Sequence, residues 1–239
     1  MYLVWLDPET TPAAAGAHLL GTIGPALLAL EPRALTIDVD DEHSQVPPPL
    51  PPPVGENPIR AVVSIWLDAY DHRAPFEQVL ADHTTRYAGY LVTESLYRDY
   101  GGNQWMPARN WPDGQRSRGL LTVTCMELKR GMTYDEWIAF WHERQSPMSE
   151  AIQPRGRYVR NAVARPITTD APPFLGIVEE AWPSAEDITD PMRFYRGAGS
   201  EETMRENFET MLEHVTTFID LDTMRNATMS EWMLRSLPR

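Results

Sequence analysis

The chain has 239 residues, 42% of them hydrophobic and 23% charged, enough to bury a substantial core as one or two domains. A formal net charge of −13 with no dense Lys/Arg stripe argues against nucleic-acid binding and against binding to an anionic membrane surface. Cys125 is the single cysteine, no apolar run approaches the roughly 20 residues that span a bilayer, and an acid already stands at Asp7, so a cytoplasmic protein is expected.

The pattern predicts a strand over 2–6, then a helix over 12–30 with Thr11 as N-cap and Pro12 in its first turn. Strands over 34–39 and 60–67 follow, separated by the proline-rich run 46–54, which reads as a stiff polyproline connector. A helix over 75–87 and a strand over 90–97 come next. Residues 103–118 are polar and carry Gly, Pro and Trp, as a connection does.

A second series begins at Gly119, with a strand to about Leu128. Thr133 and Glu136 fit a capping box, opening a helix that is expected to run to about Pro147. Strands are predicted over 157–165 and 174–182, a short turn capped by Ser184, an inserted loop over 191–200, a long helix over 201–218 and a last strand over 224–232.

Two passages share the pattern acid-His-x-Thr-x-aromatic: Asp82-His83-Thr84-Thr85-Arg86-Tyr87 and Glu213-His214-Val215-Thr216-Thr217-Phe218. Each lies at the end of a helical stretch. Their shared order predicts an internal duplication, with units 1–102 and 119–239 joined by the connector 103–118.

On the helix after Thr133, Trp137, Phe140, Trp141, Arg144 and Met148 are spaced to share one face. A guanidinium on that face suits bidentate contact with a substrate carboxylate or enolate, although an internal ion pair or a side chain reaching to water would account for it equally. His142 flanks the same face and is a candidate acid or base. In the following strand, Tyr158 and Asn161 are candidate oxygen-binding groups, yet strict alternation puts them on opposite faces. The repeated positions of His83 and His214 suggest a structural role for at least one of them.

The stretch 121–165 resembles EthD-like proteins. The resemblance rests on the capped helix ending Trp141-His142-Glu143-Arg144-Gln145-Ser146-Pro147 and on the strand opening Arg157-Tyr158-Val159-Arg160-Asn161. It implies an α+β fold of two ferredoxin-like βαββαβ repeats, closing on each other as an intramolecular, pseudo-dimeric α+β barrel. It further implies a cofactor-independent enzyme, with no metal, acting on a bulky aromatic or polyketide-like carboxylic acid or carbonyl compound. A lyase that decarboxylates or dehydrates is the first expectation. A cofactor-free oxygenase or cyclase, or a non-catalytic binding protein, are the alternatives.

By the same resemblance His142, Arg144, Tyr158 and His83 are the candidate catalytic residues. Trp137, Trp141, Gln145, Asn161 and His214 are the candidate substrate-binding ones. The family's usual Trp-x-x-x-His-x-Pro has Gln145 where its histidine would stand. The expected partner is a small hydrophobic aromatic molecule, with further pairing into a homodimer of pseudo-dimers.

Overall fold

A computed structural model describes residues 1–50, 53 and 55–237. Eight strands carry the fold: β1 (Tyr2–Trp5), β2 (Ala34–Val39), β3 (Ala61–Trp66), β4 (Arg86–Arg98), β5 (Leu120–Glu127), β6 (Arg157–Pro166), β7 (Phe174–Trp182) and β8 (Arg225–Arg235). They form one closed barrel in the order β1-β3-β2-β8-β5-β7-β6-β4, and every pairing is antiparallel. This corrects the expected pair of ferredoxin-like βαββαβ repeats. The ring has no seam, because two long strands each serve two neighbours. Arg86–Gly89 of β4 pair with β1 and Tyr90–Arg98 with β6. Likewise, residues 225–229 of β8 lie along β5, and 230–235 lie mainly along β2.

Helices cover the outside. They are α1 (Pro12–His18), α2 (Gly24–Leu28), α3 (Ala74–His83), α4 (Tyr134–Phe140), α5 (Ser146–Ile152), α6 (Glu186–Thr189), α7 (Pro191–Phe194) and α8 (Glu201–Phe218). The caps expected at Thr11 and Thr133 are present, the latter as a full capping box with Glu136. Most boundaries fall within two residues of the sequence pattern. The predicted helix over 75–87 stops early, at His83, because Thr84 is extended and Arg86 enters β4. In the short turn α6 Ala185, not Ser184, holds the N-cap position and no side chain caps it, while the Ser184 hydroxyl donates to Asp187 at 2.7 Å; the predicted loop 191–200 begins with α7. Of the polyproline run, Pro51, Pro52 and Val54 lie outside the described residues. Among the described residues no helix is long and apolar enough to cross a membrane.

Strand alternation divides most of the core between the barrel interior and two outer layers, with a smaller cluster of Leu120, Trp182, Ile188 and Phe194 beside them. Leu3, Trp5, Val62, Leu121, Val123, Cys125, Ile177 and Met229 fill the barrel. Val4, Leu35, Ile37, Val39 and Val63 face outward beneath α1, α2 and α3. Met126, Tyr158 and Val178 face outward beneath α4 and α8.

The barrel interior is not purely apolar. Arg157 bonds Glu231 at 2.8 Å, and Glu231 also accepts from Tyr100 at 2.8 Å and from Ser117 at 2.5 Å. Asp38, on β2, is wholly buried, and its neighbours are Glu179 and Glu231. Burial pushes its carboxyl well above the ordinary range, and the two nearby carboxylates push it further.

An acid whose folded pKa is raised binds more protons folded than unfolded, so stability falls as pH rises above the unfolded value of about 3.9. Asp38→Asn removes that titration. Relative to wild type, the Asp38→Asn midpoint of thermal unfolding should rise steadily between pH 4.5 and pH 8. A pH-independent difference would show that no proton is held there.

Candidate functional site

The outward faces of β5 to β8, helix α5 with the turn before it, and helix α8 enclose a cleft of about 240 Å³. Its walls are apolar and polarizable: Met126, Trp141, Val178, Met211 and Phe218, with Phe208 and Tyr195 at the α7–α8 side.

The helix that begins at Tyr134 does not end at Pro147. It widens at Trp141–Gln145 into a π turn, in which the Ser146 N–H reaches back five residues to the Trp141 carbonyl, and then continues as α5. The Ser146 hydroxyl donates to the same carbonyl at 2.8 Å. The widened turn absorbs the donor that Pro147 lacks. It also inserts one residue, turning everything after it by about 100° relative to a regular helix. The inward positions thus pass to Gln145, Ser146 and Ser149, all buried, while Arg144 is exposed. This corrects the expectation that Arg144 shares the inner face; its guanidinium lies 5.9 Å from the Phe140 ring instead.

The buried cation of the cleft is Arg155, in the turn between α5 and β6. It is 1% exposed and sits between carboxylates. One Nη pairs with Glu180, the other donates to Ser149 at 2.9 Å, and Glu150 lies 3.6 Å away. Its guanidinium stacks 4.1 Å from the centre of the Tyr158 ring. Burial opposes its charge, but Glu180, Tyr158 and Glu150 more than offset that, so its pKa is raised and it stays protonated. Arg98 bonds Glu150 at 2.9 Å, which makes a group of two guanidiniums and two carboxylates.

Tyr158 lines the cleft, but its hydroxyl is engaged: it accepts from the Trp141 indole at 3.1 Å and meets Ser146 at 3.3 Å. Burial pushes its phenol above the ordinary range, against the pull of Arg155. Three buried polar atoms of the cleft lack a partner: Arg155 Nε, Gln145 Oε1 and Asn226 Oδ1. They are the groups a ligand would satisfy.

Of the residues singled out from the sequence, Trp141, Gln145 and Tyr158 meet in this cleft. Trp137 lies behind Trp141, ring centres 5.2 Å apart, as part of its support. Asn161 points the other way, into the barrel, and donates to Glu179 at 2.9 Å. His142 packs against Trp141 outside the cleft; burial, with Arg160 nearby, lowers its pKa to about 4, so it is neutral at pH 7. His214 packs 5.6 Å from Phe140. His83 belongs to the other half of the barrel, where its carbonyl contacts His18 at 2.8 Å. Arg155 and Glu180 were missed, although one signal was available. Glu179-Glu180 interrupts an apolar strand, so one acid must face each side of the sheet; Arg155, in the turn before β6, meets Glu180, and Arg157, the first residue of β6, bonds Glu231 with Glu179 nearby.

A solved structure shares this fold. It is a crystal structure of an anthrone oxidase-like protein, 10% identical, with a TM-score of 0.51 over 99% of this chain and 92% of that one. No family model matches the chain, and no curated protein does. The likeness is thus one of fold, and membership of the EthD-like family is not shown.

Removing one partner of a buried ion pair strands the other charge, at about 3–5 kcal/mol. Arg155→Met should lower unfolding stability in urea by about 3 kcal/mol. Adding Glu180→Leu to that variant should recover part of the loss. Additive effects of the two changes would mean that the pair is not coupled.

Proposed function

We propose that the chain is a cofactor-independent enzyme that removes a proton from a bulky, neutral aromatic ketone or phenol bound in the cleft beside Arg155. The observation that carries this is one buried, protonated guanidinium with an unpartnered Nε, set in a wall of Trp, Met and Phe. An apolar wall takes a fused ring system, and Arg155 Nε donates to its oxygen as charge develops there. Glu180 is the carboxylate that lines the same cleft and accepts the proton. The conjugated substrate supplies the electron sink, so the chemistry asks only for proton movement and oxyanion stabilisation.

Charge selects among the reactions. Arg155 and Arg98 are already balanced by Glu180 and Glu150, so a substrate carboxylate would find no unpaired cation. This favours dehydration over decarboxylation. The C–H bond breaks and the proton moves to Glu180. The β-hydroxyl then leaves, recovering that proton as water, and the ring gains a double bond. A second reading follows from the solved relative being described as anthrone oxidase-like. In that case the same enolate gives its electrons to dioxygen, which yields the quinone and water.

Hydroxylated tricyclic ketones, incubated in air and under nitrogen, separate the two by product mass. Loss of water in both atmospheres supports dehydration; gain of oxygen in air alone supports the second reading. Binding without any product would leave a non-catalytic binding protein. With an active substrate, Arg155→Lys should lower kcat by about 100-fold, the usual effect of losing a well-placed oxyanion donor. Arg144→Ala should stay within about twofold, as an exposed side chain would.

A further inference from the structure

Asn226 lines two cavities at once. One is the apolar cleft; the other, about 380 Å³, is walled by Asp40, Gln45, Pro47, Pro48, Asn57 and Arg225. Successive residues of one loop also line both, Pro47 and Pro48 the outer cavity and Pro49 and Leu50 the cleft. We propose that the outer cavity is the second half of one binding site, and that it holds a neutral, hydroxyl-bearing, sugar-like substituent of the aromatic substrate. This rests on the cleft being the aromatic site proposed above.

Size is the first argument. Small-molecule sites occupy roughly 300–1,000 Å³. The cleft, at about 240 Å³, falls below that range by itself and enters it once the outer cavity of about 380 Å³ is joined to it.

Charge is the second. Two carboxylates, Asp40 and Glu56, and one guanidinium, Arg225, line the outer cavity, and each is matched, Asp40 by Arg60 from outside the lining. Arg60 bonds Asp40 at 2.5 Å, and Arg225 Nε bonds both oxygens of Glu56 at 2.8 and 2.9 Å. Neither an anionic nor a cationic substituent finds an unpaired opposite charge there.

Orphaned acceptors are the third. Asn57 Nδ2 donates to the Leu6 carbonyl at 3.2 Å, which fixes the amide orientation and leaves its buried Oδ1 without a partner. Asn226 Nδ2 donates to Thr124 at 2.6 Å, and its Oδ1 is likewise buried and unpartnered. Two buried, unpartnered carbonyl oxygens on residues that line this cavity call for neutral O–H donors. The aromatic cleft contains Arg155 as a donor and little room, so the hydroxyls belong on the outer side of Asn226.

The test is quenching of tryptophan fluorescence by a trihydroxyanthraquinone and by its O-glucosides, one at each hydroxyl in turn. Trp141 on the cleft wall provides the signal. At least one glucoside should bind about tenfold or more tightly than the parent, and Asn57→Leu should cancel that gain while parent binding is unchanged. If the parent binds and every glucoside binds equally or more weakly, the outer cavity takes no such substituent and the aromatic-cleft reading stands. A glucoside gain that survives in folded Asn57→Leu overturns the placement in the outer cavity. If no member of the set binds, both readings fall. The wild-type comparison decides the matter even if Asn57→Leu does not fold.

Discussion

A closed antiparallel ring leaves no strand edge unpaired, and everything else in this molecule is arranged around that closure. It depends on β4 and β8, each long enough to change partner midway. Once the ring is closed, every strand residue points either into the barrel or out of it. The inward set must fill the barrel, and here it does so with a hydrophobic cluster plus Asp38, Asn161, Arg157, Glu179 and Glu231. Two bonds join part of that polar set, Arg157 to Glu231 and Asn161 to Glu179, while Asp38 has no hydrogen-bond partner among the described residues and its carboxyl is held well above the ordinary range by burial. The outward set is free to hold helices, and it is on this side that the candidate chemistry lies.

Proline placement shapes those outer helices in the same way twice. Gly24-Pro25 and Ser146-Pro147 each follow a π turn, at Leu19–Ile23 and Trp141–Gln145, whose carbonyl-to-amide bond spans five residues. In a regular helix either proline would orphan a carbonyl and clash with the preceding turn. The wide turn accommodates the ring and lets the helix continue. In the second case it also decides which side chains meet the cleft, since it sends Gln145 in and Arg144 out.

Much of the scaffold was legible because its signals are local. Strands β2 and β7 and helix α8 have the bounds that composition and capping imply, and Thr133 with Glu136 makes the box their spacing suggests. Alternation correctly separated Tyr158 from Asn161. The assignment of Arg144 failed for a definite reason: a helical wheel assumes an unbroken period, and a π turn is invisible to it. Arg155 was hidden differently. It stands in a turn with no periodicity, and only the pairing of β6 with β7 brings it to Glu180. How the strands close was also beyond local signals, since β4 with β6 and β2 with β8 are contacts between distant parts of the chain.

The two helical layers differ in how closely they sit on the barrel, and this explains why the cleft is on one side. Beneath α1 and α2 the small residues are on the helix. A side chain at Gly24 would come within 2.8 Å of Leu234, and Leu19, Ile23 and Leu27 are wholly buried. Beneath α4 and α5 the arrangement is reversed. Trp137 and Trp141 project from the helix, and the small residue is on the strand, where a side chain at Gly176 would come within 2.9 Å of Trp137 and 3.0 Å of Trp141. Bulk on the helix keeps its axis away from the sheet except where Gly176 admits the indoles. Further along the same helix no comparable aromatic fills the gap. The space is left to Gln145, Ser149 and Arg155, with α8 closing the far wall through Met211 and Phe218. A polar group buried in such a gap is stable only if partnered, and Arg155 meets that condition through Glu180 and Ser149 while keeping one donor unused. The cleft and its unspent donor thus arise together from one packing choice, large side chains on the helix against glycine on the strand.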